Sequence, residues 1–144
     1  MPYTNGQGAR HPLGRGRILV VEDELLVGLD IACTLEEHGY EVVDVVDNGD
    51  RALATAAREH PDLVLMDITI RGTMDGIQAA EALRAAGGAP VVFVTSYTEG
   101  PLRERAEATR PAGYVTKPFS PPELERAVRS ALCRQDCLTP PVCA

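Results

Sequence analysis

Apolar residues fall along this chain in two alternating rhythms. Three short unbroken runs, Ile18-Leu19-Val20-Val21, Leu63-Val64-Leu65-Met66 and Val91-Val92-Phe93-Val94, are rich in branched side chains. Runs of this length and type predict strands buried on both faces. Glu41 to Val46 and Gly113 to Thr116 read as two further strands. Between them the period lengthens. Leu25 to His38 carries Leu25, Leu26, Leu29, Ala32, Cys33 and Leu35 at helical spacing, and Gly39 stops it. Asp50 is expected to cap an Ala-rich helix from Arg51 to Glu59, ended by His60-Pro61. After a loop from Gly72 to Gly76, Ile77 to Ala86 reads as a helix closed by Gly87-Gly88. Leu102 to Thr109 is a mostly polar helix. Pro121-Pro122 begin the last one, from Glu123 to Arg134.

Five strands alternating with five helices predict an α/β fold with a parallel sheet covered on both faces. The crossovers should be right-handed. With five strands the flavodoxin-like, doubly wound (βα)5 arrangement is expected, in strand order 2-1-3-4-5. Its switch point lies between the first and third strands, where ligands bind at the carboxyl ends. Residues 1–16, rich in Gly, Pro and Arg and without hydrophobic period, read as a disordered leader. The folded domain is expected over 17–134, with a flexible Cys- and Pro-containing tail over 135–144.

Composition narrows the function classes. The 144 residues suit one core, and 14 basic against 21 acidic residues give a net charge of −7. An acidic domain is a poor electrostatic partner for nucleic acid. No apolar run is long enough to span a bilayer, and the first residues lack the apolar stretch of a secretory signal. A cytoplasmic location is expected. Cys33, Cys133, Cys137 and Cys143 read as reduced thiols. Cys133 and Cys137 would share a helix face if the last helix reaches that far, but no His or fourth ligand nearby completes a metal site.

The chemistry lies at the strand ends. The first strand runs into Glu22-Asp23, the third into Asp67, the fourth into Thr95 and the last into Lys117-Pro118. A parallel sheet brings these ends to one edge. Three carboxylates in a small cleft repel one another, and a hard divalent cation such as Mg²⁺ relieves the repulsion. Lys117 would reach Asp67, aimed by a cis bond to Pro118. Thr95 offers a hydroxyl donor. Together they form a phosphoryl-transfer site. Asp67 is the nucleophile, already ionised at neutral pH, and Thr95, Lys117 and the cation stabilise charge on the transferring group.

At this point the chain resembles the receiver domain of two-component response regulators, over roughly Arg17 to Arg134. The segments that carry the resemblance are ILVVEDE, DLVLMD, VVFVTSY and GYVTKPF. The resemblance implies that Asp67 accepts a phosphoryl group from the phosphohistidine of a sensor histidine kinase or histidine phosphotransfer protein. It implies that Asp23, Asp67 and the backbone carbonyl of Thr69 hold Mg²⁺, with Glu22 acting through water. It also implies a switch. Thr95 moves toward the phosphoryl group, Tyr114 turns inward, and the surface of the fourth helix, fifth strand and fifth helix changes for a downstream protein target. That surface is also the family's route to a homodimer. Thr69 and Tyr97 flank the path of attacking water without a carboxylate or amide to position it, so slow self-dephosphorylation is expected. The implied role is a stand-alone signalling phosphoacceptor, not an enzyme.

Two departures stand out. Arg71-Gly72 replaces the Pro usual in the loop after the phosphoacceptor, and the loop is one residue longer than the commonest spacing. Thr98-Glu99-Gly100-Pro101 breaks the approach to the fourth helix. The competing readings are a phosphorylation-independent interaction module on the same fold and a phosphohydrolase of the haloacid dehalogenase type. The second expects its nucleophile on the first strand with another acid two residues on. Asp67 is on the third and is followed by Thr69. A flavodoxin-type cofactor site lacks its phosphate loop after the first strand.

Overall fold

The computed structural model describes residues 14–137, with side chains through Cys133. The elements run β1 (Arg17–Val21), α1 (Leu25–Glu37), β2 (Glu41–Val46), α2 (Gly49–Glu59), β3 (Leu63–Asp67), α3 (Gly76–Ala85), β4 (Val91–Thr95), α4 (Pro101–Ala108), β5 (Gly113–Thr116) and α5 (Pro121–Cys137). The five strands form one parallel sheet in the order β2-β1-β3-β4-β5. This is the doubly wound arrangement the alternating pattern predicts.

Alternation along each strand builds two cores. Leu19, Val21, Val64, Met66 and Phe93 point to one face, where Ala52 and Ala56 of α2, Ile77, Ala80 and Leu83 of α3, and Ala106 of α4 cover them. Ile18, Val20, Leu63, Leu65, Val92, Val94 and Val115 point to the other. There Ile31 and Leu35 of α1 and Leu124, Val128 and Ala131 of α5 cover them. Because both faces are dry, β3 and β4 are buried along their whole length. The strand ends at their carboxyl edge are therefore held rigidly by buried backbone on both sides.

Three local expectations are corrected. Leu25, Leu26 and Leu29 do not face the core. They are 66%, 81% and 47% exposed, and Cys33 is exposed too, because α1 turns Gly28, Ile31, Ala32, Thr34 and Leu35 inward instead. Gly28 allows that rotation, since a Cβ there would meet Val45 Cγ1 at 2.8 Å. The cap of α2 is Asn48, not Asp50. The Asn48 side chain accepts from the Arg51 N–H at 2.9 Å, and Asp50 lies inside the first turn. Finally, α5 runs three residues beyond Arg134, to Cys137.

Arg15 and Arg17 meet acids of this chain. Arg15 pairs with Glu125 at 3.1 Å, and Arg17 pairs with Glu59 at 3.1 Å and Glu41 at 3.6 Å. Of the leader expected over 1–16 and the tail expected over 135–144, residues 1–13 and 138–144, with Cys143, lie outside the described residues, as does the Cys137 side chain. No helix among the described residues is long and apolar enough to cross a membrane.

Candidate functional site

Each candidate side chain stands where its strand runs out. β1 ends at Val21, so Glu22 and Asp23 open the turn into α1, and Asp67 is the last residue of β3. Asp67 sits opposite Val94, which puts Thr95 one step further along β4. Thr95 in turn pairs with Thr116, the last residue of β5, and the Lys117 N–H donates to the Thr95 carbonyl at 2.8 Å. The register carries Lys117 to the edge, and the Lys117–Pro118 peptide is cis, as expected.

The three carboxylates converge. One oxygen each from Glu22, Asp23 and Asp67 lies within 4.8 Å of the others. Glu22 and Asp67 are buried, at 2% and 5% exposure. The Lys117 ammonium donates to Glu22 Oε1 and to Asp67 Oδ2, both at 3.2 Å. Burial works against that ammonium, but the two carboxylates outweigh it and hold its pKa above the ordinary value. Glu22 goes the other way from a usual carboxylate. Burial, then hydrogen bonding and repulsion with Asp67, push it up to about 7, and the Glu24 backbone and Lys117 offset only part of this. The cleft thus holds more negative charge than one lysine satisfies. Three oxygen donors with uncompensated charge fit a hard divalent cation, and the open edge leaves room for its waters.

Asp67 is further oriented by its own loop. The Thr69 N–H and hydroxyl both donate to Asp67 Oδ1, at 3.1 and 3.3 Å. Gly76 closes the loop against the end of β3. Its N–H donates to the Ile68 carbonyl at 2.8 Å, and a Cβ on it would lie 2.0 Å from the Asp67 carbonyl oxygen. Only glycine allows that approach. Asp75 caps α3 through a reciprocal pair with Gln78, which fixes the loop's far end.

Thr95 is at the edge but not joined to Asp67. Its hydroxyl oxygen accepts from the Tyr97 N–H at 2.9 Å. Tyr114 stands half-buried on β5, its ring 6.1 Å from that of Phe93, with the Arg103 guanidinium stacked 3.6 Å from the ring centroid. The Tyr114 hydroxyl is buried and makes no hydrogen bond.

Sequence reading missed one charged partner. Arg71 Nε lies 3.3 Å from Asp23 Oδ2. The signal was present as the replacement of the usual loop Pro, but nothing in spacing shows which way an exposed arginine turns.

Known proteins share this fold. A family model described as the response regulator receiver domain matches residues 18–129. The transcriptional regulatory protein PdtaR of Mycobacterium tuberculosis is 38% identical over 118 residues, covering 82% of this chain and 57% of that protein. The chain thus spans little more than half the length of that relative. The signal receiver domain of a modulated diguanylate cyclase from Desulfovibrio desulfuricans G20 is 33% identical with a TM-score of 0.80, covering 85% of this chain and 98% of that one. The BeF3-activated N-terminal receiver domain of Klebsiella pneumoniae RstA is 36% identical with a TM-score of 0.73, covering 81% and 97%. Five parallel strands in this order, with three acids and a lysine gathered at their carboxyl edge, are in keeping with that match, and the chain belongs to the response regulator receiver domain family.

Proposed function

We propose that Asp67 is a phosphoacceptor and that the chain relays a signal by accepting a phosphoryl group from the phosphohistidine of a sensor histidine kinase or histidine phosphotransfer protein. The observation that carries this reading is the Lys117 ammonium held 3.2 Å from both Asp67 and Glu22 beside a third carboxylate. In the reaction an Asp67 oxygen attacks phosphorus, the bond from phosphorus to the donor histidine nitrogen breaks, and an acyl phosphate forms. Asp23, Asp67 and the Thr69 carbonyl would hold Mg²⁺ directly, and Glu22 through water; bound there, the ion would supply charge neutralisation for the phosphoryl oxygens. Lys117 remains paired with Asp67 before transfer and is placed to meet a phosphoryl oxygen after it.

Thr95 and Tyr114 are the switch. The Thr95 hydroxyl can leave Tyr97 to donate to the phosphoryl group. Tyr114 would turn inward from beneath the Arg103 guanidinium. Their motion would alter the surface of α4, β5 and α5 for a downstream protein in the cytoplasm. Since neither Thr69 nor Tyr97 supplies a carboxylate or amide to position water, the phosphoryl group should be long-lived.

The test is incubation with acetyl phosphate and Mg²⁺, followed by intact mass. Wild type should gain one phosphoryl group and Asp67→Ala none. Equal labelling of both would place the phosphoryl group elsewhere than Asp67, and labelling of neither would move the reading to a phosphorylation-independent interaction module.

A further inference from the structure

A further charged group at the cleft belongs to the departure in the loop. Lys117 bonds Glu22 and Asp67, while Asp23 takes its cation from Arg71, 3.3 Å away. The two cations divide the three carboxylates between them. They differ in how firmly they are held. The Lys117 side chain is 22% exposed and bonded to two carboxylates, whereas the Arg71 side chain is 86% exposed and, among the described residues, makes this one pair. Arg71 lies between Asp67 and Gly76 and precedes Gly72, whose φ is +114°. The arm therefore springs from the same loop that holds the end of β3, and it can swing into solvent without disturbing buried structure.

We propose that Arg71 is a tethered counterion that competes with a divalent cation for Asp23 and so sets the cation affinity of the cleft. This rests on reading Glu22, Asp23 and Asp67 as the cation's carboxylates. Arg71 and a divalent cation both draw on the Asp23 carboxylate, so binding of one weakens the hold of the other. Arginine stays charged at every ordinary pH, so the competition does not fade as the solution becomes basic. An exposed pair of this kind is weak, so the competitor lowers affinity and does not block the site. In its absence the same carboxylates would bind the cation more tightly.

The experiment is calorimetric titration of Mg²⁺ into the metal-free chain, without any phosphodonor, for wild type, Arg71→Ala and Arg51→Ala. Arg51 pairs with Asp47 at 3.3 Å and serves as a control for removing one positive charge from the same edge. Arg71→Ala should tighten the Mg²⁺ Kd roughly two- to fivefold at low salt, and Arg51→Ala should leave it unchanged. The gap should close near 1 M salt, where screening acts within about 3 Å. Unchanged or weaker binding by Arg71→Ala, or equal tightening by both variants, overturns the competition while leaving the cation site standing. If neither wild type nor Arg71→Ala binds Mg²⁺, the cation reading fails and the proposal falls with it.

Discussion

Glu22 shows how single residues are set against their own intrinsic chemistry. Its carboxyl titrates near 7 in the folded chain because it is buried against Asp67, against 4.5 as an ordinary glutamate. A raised acid pKa means that the folded state prefers the protonated form. Its contribution to stability is fully present below about pH 4.5 and is lost as pH rises through about 7. Metal-free wild type, kept in chelator, should therefore lose stability between about pH 5 and pH 8 relative to Glu22→Gln. Parallel denaturation curves for the two proteins across that window would contradict it. The residue was legible as a candidate, since Glu22-Asp23 follows an apolar strand. Its pKa was not, because it depends on Asp67 arriving from a strand 45 positions away. Arg71 was illegible for a related reason. Its importance comes from a contact with Asp23, and an exposed side chain leaves no period in the sequence.

At the scale of elements, the strands were the easiest to read. β2 and β5, the part-exposed edge strands, match their predicted bounds, and the buried β1, β3 and β4 extend theirs by one residue, because each apolar run continues into the polar residue beside it. Helix faces were harder. α1 has apolar residues around most of its circumference, and periodicity alone cannot choose between the Leu25-Leu26-Leu29 face and the Ile31-Leu35 face. The choice is made by packing, with Gly28 fitted against Val45. α4 is the opposite case, with too little apolar surface to be held by burial. Ala106 is its one buried residue, and Arg103 supplies a second anchor by stacking on Tyr114 while its Nε lies 3.3 Å from Glu107. Such stacking is worth about 0.5–1 kcal/mol at a partly exposed site. Arg103→Ala should therefore raise amide exchange in α4 by roughly two- to fivefold and leave β1 and β3 unchanged. Uniform acceleration across the sheet, or none in α4, would show that Arg103 is not an anchor of that helix.

The whole molecule places its exposed apolar surface beside its charged cleft. Among the described residues the large hydrophobics that stand exposed are Leu25, Leu26, Leu29 and Tyr97. Leu25 and Leu26 lie in the first turn of α1, two and three positions after Asp23, and Tyr97 lies two positions after Thr95. Leu29 sits one turn further down the same helix. A core would claim such side chains if stability alone governed the sequence. On the proposed reading, a protein donor bringing a phosphohistidine to Asp67 would cover this same ground, and an apolar surface around a polar centre is what such a contact uses. A small donor such as acetyl phosphate needs none of it. Leu26→Ser should therefore leave stability within about 0.5 kcal/mol of wild type, since the side chain is already in water. It should leave labelling by acetyl phosphate unchanged as well. Transfer from a histidine kinase that phosphorylates the wild type should fall roughly tenfold, the loss of about 1.4 kcal/mol of contact. If both donors slow equally, the leucine acts through the cleft itself. If neither slows, α1 is not where the donor sits.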